Sequence, residues 1–326
     1  PFHMRNLSTL AWRVYDAPTK PWHGVVADTE GDDSVYVMRV ERRDGVSQLT
    51  LAHITPTGTE ELAVLEVASA PPHVPDVADF RLLADGGSSV NHMPAICVIG
   101  SGGDIVLMPV DEEASAPAEV VGSVDQGILA AAWSPEEDVL VLITGGEKRL
   151  IVMTREFEVM SETMLSTEAF GDDQPVNVGW GSKSTQFHGS EGKQAAMAAA
   201  NAPEESDPRG PLVPEDDGLP RISWRGDGAF FVTSSAEASN DTVHRILRTY
   251  TRTGTLSATS DRSVRGISHV LACRPTGNLI ATTQRMGGPW APGRHGRHDV
   301  VFFERNGLRH GEFSLREEHG SVPDLP

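Results

Sequence analysis

An all-β fold made of repeated four-stranded units is predicted by three observations. The blocks "AAAWSPEEDVLVLITG", "NVGWGSKSTQFHG", "RISWRGDGAFFVTSS" and "LACRPTGNLIATTQ" lie over one another with Trp133, Trp180, Trp224 and Cys273 in register, at steps of 47, 44 and 49 residues. Each block is a short apolar run, a polar turn rich in Gly, Pro, Ser or Asp, and a second apolar run, which is the pattern of a hairpin. Three of the four are followed by a second hairpin, "RLIVMTREFEVMSE", "RILRTYTRTGTLSAT" and "DVVFFERNGLRHGEFSL", turning near Glu156, Gly254 and Gly307. Four short strands in every ~40 to 50 residues is the signature of a propeller blade, so the fold class is a WD40-like β-propeller.

The elements follow in order. Pro1 to His3 precede the first methionine and are expected to be a cloning remnant, so the domain is placed at residues 4–320. Leu7 to Val14 reads as a lone strand, of the kind that completes the last blade and locks a ring shut. "VYVMRVERRDGVSQLTLAHITPTGTEELAVLEV" offers three strands, and "PAICVIGSGGDIVLMPVD" a hairpin turning at Gly102-Gly103. Blades counted near Val25, Leu83, Trp133, Trp180, Trp224 and Cys273 make about six visible. Seven are expected in the intact domain, because the chain stops at "GSVPDLP" where a further blade should begin. Behind the Trp180 block, residues 189–220 depart from the rhythm: strong helix formers run from Lys193 to Ala200, and a Pro-rich acidic stretch follows. A partly helical insertion is expected there.

Composition limits the partners. Lys+Arg of 27 against Asp+Glu of 46 gives a net charge of −19, which repels phosphate backbones and anionic lipid unless a local basic patch overrides it. Two cysteines, Cys97 and Cys273, are too few for a disulfide framework, and each sits in an apolar strand-like run suited to a reduced buried thiol. A cytoplasmic or nuclear location is therefore expected. No apolar run approaches the ~18 residues of a spanning helix, and a membrane partner is not expected.

Candidate chemistry is sparse. "FHGSEG" approaches a nucleophile elbow around Ser190, but His188 stands where that motif needs glycine. His295, His298 and His310 offer imidazoles for a metal, yet Gly293 and Gly296 disfavour the helix that would put them on one face. Arg294, Arg297, Arg305 and Arg309 carry guanidinium forks suited to oxyanions and, with Lys193 in the insertion, are the candidate partner contacts. Trp133, Trp180 and Trp224 recur at blade spacing, which points to packing rather than a ligand cage. No catalytic, cofactor or metal residue is assigned, and the chain is not expected to be an enzyme. Three classes of function remain in view: a scaffold propeller, a stand-alone propeller that captures peptides or proteins at its mouth, and a propeller-fold hydrolase whose nucleophile, base and acid cannot be assembled from these residues.

The residues also carry a resemblance. "MRNL", "GSVDQGILAAAWS", "VGWGSKSTQFHGSEGKQAA", "ISWRGDGAFFVTSS" and "HDVVFFERNGLRHGEFSL" occur in order between Met4 and about Leu315. They resemble the N-terminal propeller of the large scaffold subunit of Elongator, the IKAP family. The resemblance implies a non-catalytic scaffold for a catalytic radical-SAM and acetyl-CoA-using subunit and a second WD40 subunit, in a complex that modifies wobble uridine (U34) of tRNA. It implies contact with tRNA only through that complex, and a homodimer formed by regions outside this chain. Cys273 departs from the pattern where a Trp is usual, and so does the Gly- and Arg-rich loop "MGGPWAPGRHGRHD".

Overall fold

The computed structural model describes residues 23–27, 34–83, 94–110, 117–166, 171, 211–239, 242–260, 264–285 and 298–314. They form five four-stranded antiparallel sheets, each a meander in chain order. The first holds β1 (Gly24–Ala27), β2 (Val35–Arg43), β3 (Val46–Thr55) and β4 (Gly58–Ala68). The second holds β5 (Val77–Leu83), β6 (Ala95–Gly100), β7 (Asp104–Pro109) and β8 (Glu119–Ser123). The third holds β9 (Ile128–Trp133), β10 (Val139–Thr144), β11 (Arg149–Thr154) and β12 (Val159–Met164). The fourth holds β13 (Arg221–Trp224), β14 (Phe230–Ser239), β15 (Thr242–Thr251) and β16 (Leu256–Thr259). The fifth holds β17 (Ile267–Cys273), β18 (Leu279–Arg285), β19 (His298–Glu304) and β20 (Arg309–Ser314). This is the predicted propeller architecture: the first strands of consecutive sheets are neighbours, so they are the inner strands of blades.

Strand parity explains the packing, because successive side chains point to opposite faces. In blade two, Ile96, Val98, Val106 and Met108 meet blade one's Met38, Val40, Leu49 and Leu51. The alternate residues Cys97, Ile99, Ile105 and Leu107 meet blade three's Trp133, Leu140 and Leu142. Blade three turns Val139, Val141, Ile143 and Val152 to Phe231 and Tyr250 of blade four. Blade four turns Phe230, Val232 and Leu247 to Ile280, Val301 and Phe303 of blade five. Central strands covered on both sides must read as continuous apolar runs, as "AICVIG" and "VLVLIT" do.

The turns follow the sequence reading. At Gly102 a Cβ would stand 2.0 Å from the carbonyl oxygen of Ala68, and at Gly103, with φ of 119°, 2.1 Å from that of Val124. Only glycine lets the β6–β7 turn sit against the neighbouring backbone.

One placement is corrected. The 47-, 44- and 49-residue spacing puts a blade at Trp180 between those of Trp133 and Trp224. The third and fourth sheets instead share one apolar cluster, and Trp224 Nε1 donates to the carbonyl of Ala132 at 3.2 Å. Among the described residues no strand stands between them. A strand–turn–strand motif needs only what a hairpin needs, and the Trp180 block lacks the second hairpin that follows the other three. That block, the helix expected over 193–200, the strand Leu7–Val14 and the residues after Ser314 lie outside the described residues.

Tryptophan packing agrees with a structural role. Trp133 is buried with its ring edge-on to Phe157, and Trp224 is half-buried against Phe231. Each ends an inner strand, as does Cys273, whose thiol donates to the carbonyl of Ser223 at 3.2 Å.

Asp79, on the inner strand of blade two, gives this packing a pH dependence. Burial raises its carboxyl from an ordinary 3.8 to about 6, although the Phe80 N–H bonds it and the Arg81 cation attracts it; the buried Cys97 thiol beside it is pushed up as well. Between about pH 4 and pH 6 this carboxyl therefore holds more proton in the folded chain than in the unfolded chain, and its contribution to stability falls as pH rises. The expected loss across that window reaches about 3 kcal/mol. Urea titrations from pH 4 to pH 7 should show Asp79→Asn gaining stability relative to the parent as pH rises through that window, with the difference largest at pH 7.

Candidate functional site

The best-defined polar assembly is built on the long hairpin of blade four. β14 and β15 pair from Phe230↔Thr251 to Ser239↔Thr242, whereas β13 reaches only Arg221↔Ser234, so the hairpin runs on past its inner strand. "TVHRILRTYT" carries Arg245 and Arg248 inside an otherwise apolar strand, and both are buried. An unpaired buried guanidinium is prohibitively costly, so partners are obligatory.

Arg245 receives them from the segment that leads into blade four. Its Nε donates to Asp216 Oδ2 at 2.7 Å and its Nη2 to Asp216 Oδ1 at 2.5 Å, a bidentate fork, while Nη1 reaches the carbonyl of Leu219 at 3.1 Å. Leu212 N–H adds a backbone bond to Val243, and Val213 is buried. Arg248 pairs with Glu237, which also accepts from Ser166 at 3.1 Å and Ser235 at 2.9 Å. Burial works against the Glu237 carboxylate, but Arg248 and these hydroxyls outweigh it and hold its pKa below the usual range. Lys148 Nζ, from blade three, caps the carbonyl of Ala236 at 3.1 Å.

The arrangement has a positional meaning. Ser166 is the last described residue after blade three, apart from Gly171, and Asp216 precedes blade four. Both ends of the connection that contains the predicted insertion are thus fastened to one hairpin. Residues 211–220, the last part of the expected 189–220 insertion, are bonded into the blade.

Asp216, Asp217 and His269 bring three potential ligand atoms, two carboxylate oxygens and one imidazole nitrogen, within 4.8 Å of one another. Arg245 takes the carboxylate of Asp216 and Arg221 that of Asp217, whose pKa stays low despite burial because of Arg221 and the Leu219 N–H. Two guanidiniums already supply the positive charge a cation would bring, so the group is an ion-pair cluster.

The residues singled out in the sequence do not converge. His298 starts β19, while His310, on β20, sits beside Glu304 at 2.5 Å at the far end of the same strand pair, which separates the imidazoles. Arg305 is half-buried in the β19–β20 turn, and Arg309 is exposed and paired with Glu312. Lys193, Arg294, Arg297, Ser190 and His295 lie outside the described residues. Sequence reasoning missed Asp216, Glu237, Arg245 and Arg248; the signal was two arginines in an apolar strand.

With this geometry in hand, known proteins can be set beside the chain. The family described as the ELP1 first N-terminal beta-propeller matches residues 4–325. The chain belongs to that family. Elongator complex protein 1 of Mus musculus is 34% identical over 323 residues, covering 96% of this chain and 21% of its own length. The protein of the same name from Schizosaccharomyces pombe is 38% identical over 224 residues, 68% of this chain and 17% of its own. The chain thus spans about a fifth of the length of these relatives. Among solved structures, that of Sqt1 from Saccharomyces cerevisiae overlays with a TM-score of 0.49 at 7% identity, over 89% of this chain and 60% of that one.

The fork on Arg245 can be tested by removing its partner. Asp216→Ala leaves a buried cation unpaired and should cost about 3 to 5 kcal/mol. The double variant Asp216→Ala/Arg245→Met should recover much of that loss in chemical denaturation, since an apolar side chain no longer needs a partner.

Proposed function

We propose that the chain is a non-catalytic scaffold propeller of the Elongator assembly, presenting rigid blade faces and one fastened connection to other subunits. The family match across residues 4–325 carries this reading. The geometry supports it: among the described residues the two most buried ion pairs, Asp216–Arg245 and Glu237–Arg248, hold a connection in place. In this reading the full-length protein organises the catalytic radical-SAM and acetyltransferase subunit and the second WD40 subunit, in the cytoplasm and also in the nucleus. Modification of wobble uridine in tRNA is the work of those partners, and dimerisation that of regions outside this chain. A net charge of −19 disfavours the counterion release that drives phosphate binding, so tRNA is met through the complex.

The test compares full-length protein with and without this propeller in cells. Loss of the propeller should lower recovery of the catalytic subunit and reduce wobble-uridine modification, whereas the 326-residue chain alone should modify no tRNA. Undiminished recovery and modification without it would overturn the scaffold role. Sub-micromolar binding of tRNA by the isolated chain at physiological salt would overturn the indirect contact.

A further inference from the structure

Two arginines from different blades close on one aromatic ring. Arg225 follows β13 and opens the turn into β14, and Arg305 lies in the turn between β19 and β20. Their guanidinium carbons stand 5.7 Å and 5.3 Å from the centroid of Phe230, so they lie within about 11 Å of each other. The Phe230 ring is fully buried, and its quadrupole holds both cations. Side chains fixed in this way lose little further freedom when they bind a ligand. Arg274 joins them from blade five: it follows β17 as Arg225 follows β13, and the two turns touch, since a Cβ on Gly226 would stand 2.7 Å from the carbonyl oxygen of Pro275. Arg274 is exposed, and among the described residues no carboxylate pairs with it. Asp227 reaches Arg225 at 3.3 Å.

Against a net charge of −19, Arg225, Arg274 and Arg305 stand on adjacent turns of one rim, where Asp227 pairs with Arg225. We propose that this rim, between blades four and five, binds an acidic extended polypeptide segment. An extended chain advances about 3.3 Å per residue, so carboxylates two or three residues apart span about 7 to 10 Å, inside the ~11 Å that bounds the Arg225–Arg305 separation. Guanidinium forks take carboxylates bidentately. Phosphates along a nucleic acid have a similar spacing, but a long polyanion also meets the repulsion of the whole acidic surface, whereas a short acidic segment brings only the charges the rim neutralises. The site rests on its own geometry and does not require the Elongator reading.

Fluorescent hexaglutamate is the probe, titrated by anisotropy into the 326-residue chain at low salt, with tRNA in a parallel arm. Hexaglutamate should bind saturably, and Arg274→Glu, at an exposed position, should weaken it about tenfold without changing the melting temperature. Arg225→Lys/Arg305→Lys keeps the charge but loses the forks, and should also weaken it several-fold. Arg149→Glu, on the outer part of blade three, should leave it unchanged. The proposal fails if hexaglutamate does not bind, if Arg149→Glu weakens it as much as Arg274→Glu, or if tRNA binds more tightly and loses that binding through the same rim variants.

Discussion

Every other feature depends on one constraint: the central strands of the middle sheets are buried on both faces, so such a sheet is stable only between two others. A central strand such as β10, buried at every position from Val139 to Thr144, could not stand in water on either side. Four sheet-to-sheet contacts use alternate residues of the same strands, and that alternation fixes blade order. On blade one, the face away from blade two also buries Val37, Ala52 and Ile54. Blade five's outward face is more open: Phe313 is half exposed beside Phe302. A ring of this kind has no hydrophobic centre; it has a series of seams.

The seams also set where polar chemistry is tolerated. The extended end of the blade-four hairpin passes beyond its inner strand, and there the chain replaces apolar contact with guanidinium–carboxylate forks. Such pairs contribute little net stability over a well-packed apolar alternative, but they are demanding about partner and angle. They suit a place where a long connection must leave and return at fixed points. Arg225 and Arg305 use another device, lying over the Phe230 ring.

Much of the fold was legible in the sequence because a hairpin is a local object. The turns at Gly102-Gly103, Glu156, Gly254 and Gly307 were readable from glycine and polar residues between apolar runs, and Trp133, Trp224 and Cys273 do occupy equivalent ends of inner strands. The order of blades was only partly legible. The Trp180 block lies outside the described residues, and nothing local says whether a hairpin joins the ring. The polar assembly was harder still. Arg245 and Asp216 are 29 residues apart, and only the fold shows that a buried arginine in one strand requires a carboxylate from the preceding connection. Family membership, by contrast, was carried by long blocks of residues and not by any site.

The direct contact between blades three and four is the most exposed claim. Ser161 Oγ of blade three donates to the carbonyl of Thr253 in blade four at 2.7 Å across this seam, so thiols at these two positions stand within reach of a short cross-linker. In the double variant Ser161→Cys/Thr253→Cys, a short bis-maleimide, then alkylation, digestion and mass spectrometry, should yield one cross-linked peptide joining the two positions, with Cys97 and Cys273 remaining outside the cross-link. If the two introduced thiols are instead both recovered alkylated in folded protein, something stands between the two sheets, and a blade order that seats the third directly against the fourth is wrong.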